Sequence, residues 1–315
     1  MFKQVIKNFN IHVNPLNARN TISTGDLLTG HISFELTKET NVTSITMAMK
    51  GKAHVHWSRG AGGKRRRRRN FSAKLEFFNL KGVILQDRSV SGMSAKLQPG
   101  THMYPFTCQL PQGDFPSSFQ GPNGQIKYAL TVGINRPWHL SKEVEAQLNF
   151  LKRIDTNQPL LRAPLSGSNS KTEGCLCCTL GLITMTVSTA KKAFTTGETV
   201  KLMCVFSNTS SRTVTPKVTL LQKQAYYTLS RTSSIMQFKK LVSMNGHPIG
   251  AHTSVLHIEY TLTIPSFASP SISNCSILEV EHFIQVRLSA KFSSDLIVLV
   301  PIVICDTFIE AQPQP

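Results

Sequence analysis

The sequence predicts an all-β protein made of two tandem β-sandwiches. Val, Ile and Thr are abundant, no stretch carries a sustained helical apolar stripe, and short segments alternate apolar and polar residues as strands do. The second half also repeats landmarks of the first. Thr24-Gly25-Asp26 is echoed by Thr196-Gly197-Glu198, and residues 104–111 by residues 258–265. Because 315 residues suffice for two domains with separate cores, the repeats favour two similarly wired sandwiches over one large sheet.

The first half reads as a series of strands joined by turns. Strand patterns cover residues 28–36, 41–57, 71–78, 103–110 and 124–132. The long second segment is predicted to have one face in the core and one face in solvent. The core face carries Gly51, Ala53, Val55 and Trp57, and the solvent face carries Lys50, Lys52, His54 and His56. The loop 112–123 is rich in Pro, Gly and Ser, and we expect its Phe115 and Phe119 to pack on the core.

Strand patterns resume after a Pro/Gly/Ser-rich segment, residues 151–173, which we interpret as a linker or long loop. The later strand patterns cover residues 180–187, 200–206, 214–224, 255–264, 277–290 and 297–304, the last expected to break at Pro301. The predicted division is therefore a first sandwich over 1–152, a linker and the start of the second domain over 153–178, a second sandwich over 179–306, and a short tail over 307–315.

Charge and cysteine content predict a cytosolic protein with anionic partners. Lys and Arg number 35 against 17 Asp and Glu, a net charge of +18 that favours anionic partners such as nucleic acid, acidic membranes or phosphorylated peptides. Seven Cys without a regular framework fit a reducing compartment. The N-terminus lacks the apolar centre of a signal peptide, and the strongest apolar run, residues 296–305, is too short to span a bilayer.

Several short motifs, in order along nearly the whole chain, resemble the α-arrestins, also called arrestin domain-containing proteins. The first half contributes Tyr104-Pro105-Phe106 and Pro116-Ser117-Ser118-Phe119; the second contributes Gly197-Glu198, Asn208-Thr209-Ser210-Ser211-Arg212 and Pro301-Ile302-Val303. The resemblance implies two tandem immunoglobulin-like arrestin β-sandwiches joined by a short hinge. It also implies a non-enzymatic adaptor that binds cytosolic regions of membrane receptors or transporters and promotes their endocytosis, sorting or ubiquitination. Such a protein is cytoplasmic and peripheral at the plasma membrane and endosomes.

The sequence departs from the family at its C-terminal end. Many α-arrestins carry Pro-Pro-x-Tyr motifs that engage ubiquitin ligases, whereas this sequence ends at Pro315 and contains no such motif. We therefore expect a member without that tail, and direct ligase recruitment by that route is not predicted. A tail-less member, a truncated product, and a cargo or membrane adaptor remain alternatives.

A run of basic residues between two strand patterns is the first candidate site. We expect it at a hairpin tip, where it is a candidate for binding anionic lipids. A solvated loop is the competing interpretation, a nuclear-localisation-like string is a further alternative, and nucleic-acid contact is disfavoured because no aromatic residues are interleaved for base stacking. The run comprises Lys64, Arg65, Arg66, Arg67, Arg68 and Arg69.

A cysteine cluster is the second candidate site. Cys175, Cys177 and Cys178 follow the predicted linker and are candidates for palmitoylation, with small apolar residues at a strand start as the alternative. Zinc is not expected because no second Cys or His pair accompanies them. The remaining cysteines lie in strand-like segments and are predicted to be core residues: Cys108, Cys204, Cys275 and Cys305.

No pattern of residues predicts catalysis or a cofactor. His54-x-His56 lacks a third metal ligand, and there is no nucleophile–base signature or Gly-rich phosphate loop. Two alternatives to the adaptor stay open: a coat or scaffold subunit of the related retromer type, and a basic-loop protein that acts in the nucleus. The resemblance further implies that cargo phosphates meet basic residues of the N-terminal sandwich, for which the candidates are Lys3, Lys7, Arg19 and Lys50.

Overall fold

The computed structural model describes residues 5–60, 68–86, 95–154, 158–173 and 181–305. These ranges form twenty strands and one four-residue helix, so the all-β prediction is confirmed. The chain divides into two compact units after Lys152, with the turn Tyr227–Ser233 grouped with the first unit. No helix in the described ranges has the length and apolar character that a membrane crossing needs.

The first unit contains a three-stranded sheet of order β1-β3-β8, a six-stranded sheet of order β2-β11-β10-β5-β6 with β9 added to β10, and the small pair β4-β7. All of its pairings are antiparallel except that of β2 with β11. The strands are β1 Ile6–Val13, β2 Thr21–Ile22, β3 Leu27–Leu36, β4 Thr40–Val42, β5 Ser44–Gly60, β6 Arg68–Gln86, β7 Ala95–Leu97, β8 Gly100–Gln109, β9 Phe119–Gly121, β10 Gly124–Asn135 and β11 Lys142–Phe150.

Aromatic rings fill the core beneath the six-stranded sheet. Tyr128 is fully buried and stacks on Phe150 with ring centroids 4.4 Å apart, and its hydroxyl donates a 2.7 Å hydrogen bond to the carbonyl of Pro116. Phe119 is buried, and the ring of Phe115 lies 5.1 Å from that of Phe78. The prediction that the Pro-rich loop packs its two Phe residues on the core is confirmed.

The second unit repeats this plan with a four-stranded sheet of order β12-β13-β15-β18 and a five-stranded sheet of order β14-β20-β19-β16-β17. One apolar core, with members such as Val200, Leu220 and Ile284, draws residues from both sheets. The elements are α1 Pro159–Arg162, β12 Leu165–Glu173, β13 Gly181–Thr189, β14 Ala193–Thr195, β15 Thr199–Asn208, β16 Thr215–Tyr227, β17 Ser234–Asn245, β18 Thr253–Thr263, β19 Leu278–Ser289 and β20 Leu296–Cys305.

The internal echo in the sequence corresponds to the same turn in both units. Gly25 and Gly197 have φ of +76° and +82°, the left-handed region that glycine enters without strain. The Asp26 carboxylate accepts a hydrogen bond from the backbone N–H three residues earlier at 2.8 Å, and the Glu198 carboxylate does the same at 2.9 Å. The acidic residue after each glycine therefore closes the turn.

The Ser/Pro-rich loops of the two units also correspond, and in each loop one serine hydroxyl makes the same hydrogen bond. The Ser118 side chain accepts a hydrogen bond from the backbone N–H of Phe150 at 2.9 Å, and that of Ser271 accepts one from Ile304 at 3.0 Å. In return, the two serine N–H groups donate to the carbonyls of Phe150 and Ile304, each at 2.8 Å. Each loop is thus joined to the strand that closes its sandwich, which explains why the two halves share these motifs.

Two segments differ from the sequence prediction. Within the expected linker 151–173, β12 (Leu165–Glu173) is an edge strand that pairs with β13 along its full length. Its Ser, Thr, Gly and Asn residues carry little apolar signal because most of the strand faces solvent. Strand β20 continues through Pro301, which pairs with Phe283 of β19. On its other side, β20 pairs with β14 only at Val303, Ile304 and Cys305, so no hydrogen bond to β14 is lost because proline has no backbone N–H.

Candidate functional site

The basic run lies where a hairpin was expected, but it is not wholly a loop. β5 and β6 pair antiparallel up to Gly60 opposite Arg68, so the two strands form a hairpin on either side of this run. Lys64, Arg65, Arg66 and Arg67 lie outside the described residues. Arg68 and Arg69 belong to β6 and are exposed, which corrects the prediction of a solvated loop for these two residues. Arg68 lies opposite Gly60 and Arg69 lies opposite Arg59, so the strand ladder continues into the basic run.

Three of the four cysteines that the structure describes lie in the core. Cys204, Cys275 and Cys305 are buried as predicted, whereas Cys108, also predicted as a core residue, is only partly buried on β8. Burial raises the pKa of Cys204 to about 12 and that of Cys305 to about 11, so neither is a thiolate near neutral pH. The palmitoylation candidates Cys175, Cys177 and Cys178 lie outside the described residues and stay predictions.

A basic face on the first unit follows the predicted alternation of β5. Ala53, Val55 and Trp57 are buried, whereas Lys52 and His56 on the opposite face are exposed. The predicted core and wet sides of this strand are therefore confirmed.

Neighbouring strands extend this face with charges of both signs, among which cations are in excess. On β10, Lys127 lies opposite Lys52 and pairs with Glu145 at 2.5 Å. On β6, Lys74 lies opposite His54 and Glu76 lies opposite Lys52. Partial burial lowers the pKa of His54, and the positive charges of Lys74, His56 and Lys52 lower it further. In the part of the chain that the structure describes, no group of three or more His, Cys, Asp or Glu could hold a metal ion.

A groove of about 600 Å³ lies on the second unit, on the face of the five-stranded sheet that points away from the core. Strand register builds it in rows: Lys217 lies opposite Arg287, and Leu221 lies opposite Phe283. Edge strand β17 adds further side chains. The full lining consists of Lys217, Thr219, Leu221, Lys223, Met236, Phe238, Lys240, Phe283, Gln285, Arg287 and Leu299.

The groove combines an apolar floor with an uncompensated positive charge. Of its four cationic side chains, Lys223 lies 2.7 Å from Glu281 and Arg287 lies 3.2 Å from Asp295. Lys217 and Lys240 form no ion pair among residues that the structure describes. Such a surface suits an extended ligand that carries both apolar groups and negative charges.

Comparison with known proteins accounts for both units. The model of the "Arrestin (or S-antigen), N-terminal domain" family matches residues 9–157, and that of the corresponding C-terminal domain matches residues 179–307. The chain belongs to the arrestin family. The basic face thus lies on an arrestin N-terminal domain, and the groove lies on an arrestin C-terminal domain.

The curated relatives within the arrestin family are α-arrestins. The chain is 27% identical over 285 residues to arrestin domain-containing protein 4 of Mus musculus, covering 90% of this chain and 68% of the relative. It is also 27% identical over 307 residues to thioredoxin-interacting protein of Sus scrofa, covering 96% of this chain and 75% of the relative. The resemblance to α-arrestins is therefore confirmed, and the chain spans about two thirds to three quarters of these relatives.

Sequence reasoning missed the groove because it missed strand β17. No residue of the segment Ser234–Asn245 is buried, so it lacks the apolar run that marks a buried strand. A usable signal was present on β16, where Lys217, Leu221 and Lys223 alternate with the buried Val218 and Leu220. That alternation places the outward lysines on one sheet face.

Proposed function

We propose that this arrestin-family chain is a cytosolic, non-enzymatic adaptor. It binds acidic cytosolic segments of membrane receptors or transporters, promotes their endocytosis, sorting or ubiquitination, and works at the cytoplasmic side of the plasma membrane and endosomes. The observation that carries the proposal is the groove of the second unit, where an apolar floor meets lysines that have no carboxylate partner among the described residues. Membership of the arrestin family and similarity to α-arrestins support it.

The groove favours an extended peptide over a small rigid ligand. It is an open surface across four neighbouring strands, so its length matches that of a chain segment. Apolar side chains of the cargo pack on Leu221, Phe238 and Phe283. Carboxylates or phosphates of the cargo pair with Lys217 and Lys240, where charge-assisted hydrogen bonds are stronger than neutral ones.

A charge-reversal experiment tests the groove. We expect the double variant Lys217→Glu, Lys240→Glu to bind a fluorescent peptide from an acidic receptor tail about tenfold or more weakly, measured by fluorescence anisotropy, because two attractions become repulsions. The control is Lys38→Glu, Lys201→Glu, which alters two exposed lysines outside the groove. Two reversals of two charge units each lower the net charge of +18 by four in both variants. Equal weakening in both would show that only net charge matters and would contradict the groove.

Cross-linking in cells distinguishes the adaptor from its alternatives. A photo-reactive residue in place of Phe238, which is exposed in the groove, should capture receptors or transporters. Capture of a stable coat complex would instead support the retromer-like scaffold, and capture of nuclear proteins would support the basic-loop alternative.

A further inference from the structure

The turn between β10 and β11, residues 136–141, presents two large apolar side chains to solvent. Trp138 is 101% exposed and Leu140 is 93% exposed. Single exposed apolar residues are ordinary on protein surfaces. An exposed Trp and an exposed Leu two residues apart at one turn are less ordinary than a single exposed residue. Burying either side chain in an apolar medium is favourable, and the fold buries neither.

Hydrogen bonds hold the backbone of this turn in a defined conformation. Trp138 has φ of +58°, a left-handed conformation that is uncommon for a bulky residue. The N–H of His139 donates to the carbonyl of Arg136 at 3.4 Å, and its Nδ1 donates to the carbonyl of Pro137 at 2.7 Å. At the base, the Asn135 amide donates to two hydroxyls of β5, at 3.0 and 3.3 Å. A backbone that is already ordered loses little conformational entropy when the tip binds.

The equivalent turn of the second unit lacks this combination. The hairpin between β19 and β20 presents Phe292, 98% exposed with φ of +58°, so the fold places an aromatic residue at the tip in both repeats. The residues beside it, Lys291, Ser293 and Ser294, add no second apolar side chain. The Trp–Leu pair is therefore a feature of the first unit.

Basic residues flank the apolar tip. Arg136 precedes Trp138, and Lys142 begins β11, with Glu143 as the nearest acidic residue along the chain. Trp prefers the interface between the acyl chains and the headgroups of a bilayer, and basic residues near an anionic leaflet add attraction. A convex tip of this kind can insert into a bilayer without any complementary pocket.

We propose that the β10–β11 turn inserts Trp138 and Leu140 into the interfacial layer of an anionic membrane. The inference goes beyond the adaptor function, because insertion requires lipid and no cargo. It also differs from lipid binding by the basic run. The turn adjoins the start of the 17-residue strand β5, where Asn135 pairs with Ser44. The basic run follows the other end of β5, at Gly60, about 50 Å away along the strand.

Tryptophan fluorescence can report the insertion directly. The chain has two Trp residues, and Trp57 is buried, so a Trp57→Phe background leaves Trp138 as the single reporter. With vesicles of phosphatidylcholine and phosphatidylserine, we expect a blue shift of Trp138 emission, quenching by brominated acyl chains and protection from aqueous iodide. An unshifted emission in the presence of bound vesicles would overturn the proposal.

Vesicle cosedimentation of the full chain tests the energetic role of the tip. The double variant Trp138→Ala, Leu140→Ala should partition on the order of tenfold more weakly, because it removes apolar area while leaving every charge in place. The control is Leu160→Ala, a loss of the same kind at an 80% exposed position on α1, and it should partition like the parent protein. Phe292 is retained throughout.

The outcomes separate this proposal from its competitors. Equal partitioning of the parent protein and the double variant would overturn it. A shift of Trp138 emission with membranes that contain protein, but none with lipid vesicles, would mean that the tip docks into a protein, which also overturns it. Peptide binding by the groove variants tests the adaptor proposal, and vesicle partitioning tests the insertion of the turn. Either proposal can therefore fail without the other.

Discussion

At the scale of single residues, the second unit buries a continuous chain of polar side chains in its core. The Tyr226 hydroxyl donates to Oε1 of Gln224 at 2.7 Å, and the Gln224 amide donates to Oε1 of Gln222 at 2.7 Å. The Gln222 amide then donates to Nε2 of His282 at 3.1 Å, while Nδ1–H of His282 donates to Ser271 at 2.9 Å. Every link is satisfied only when His282 is neutral, because Nε2 must accept a hydrogen bond.

This network predicts a pH-dependent stability. Burial lowers the pKa of His282 to about 4, whereas the unfolded chain has the ordinary value of 6.5. Between these two pH values the unfolded state binds more protons. The free energy of unfolding should therefore fall by up to about 3 kcal/mol as the pH drops from 6.5 towards 4. The free energy of unfolding, measured by urea denaturation at several pH values from 7 to 4.5, should change less with pH for His282→Gln than for the parent protein. An equal dependence on pH in the two proteins would exclude His282 as the cause.

At the scale of elements, the long strand β5 depends on a glycine because of packing and not because of a turn. A Cβ on Gly51 would lie 2.6 Å from Cε1 of Tyr128 and 2.9 Å from Cε1 of Phe78. The pairing of β5 with β6 also shifts register between Gly51 and Lys52. The strand thus passes under two aromatic rings at the one position where no side chain fits.

Gly51→Ala should destabilise the first unit by about 1–3 kcal/mol, since overpacking forces the two rings to move. Gly60→Ala is the matched control on the same strand, because a Cβ there would meet nothing within 4 Å. Its effect should stay within about 0.5 kcal/mol. Chemical unfolding followed by circular dichroism measures both. A similar loss in the two variants would mean that strand propensity, and not ring contact, is responsible.

At the scale of the whole molecule, two units with separate cores predict two thermal transitions. Leu220 is fully buried in the core of the second unit, and Leu→Ala in such a position costs about 2–5 kcal/mol. Calorimetry should show that Leu220→Ala lowers one transition and that Gly51→Ala lowers the other. A single transition shifted by both variants would indicate that the two units unfold as one.

The sequence by itself determined the class of fold and its duplication. Alternation along β5 and the glycine–acid turns at Gly25 and Gly197 are local features, readable because a strand has a period of two and because few residues adopt positive φ. The hairpin at the basic run followed from the same local logic. The edge strands β12 and β17 were not predicted, because a strand without buried residues shows no apolar run in the sequence.

Tertiary structure alone decided where binding chemistry gathers. The groove joins Lys217, Phe238 and Arg287, which are distant in the chain and meet only because β17, β16 and β19 pair in that order. Only the tertiary structure shows that Trp138 and Leu140 lie exposed on the turn between β10 and β11. Strand register and exposure arise from contacts between distant segments, so no local pattern encodes them.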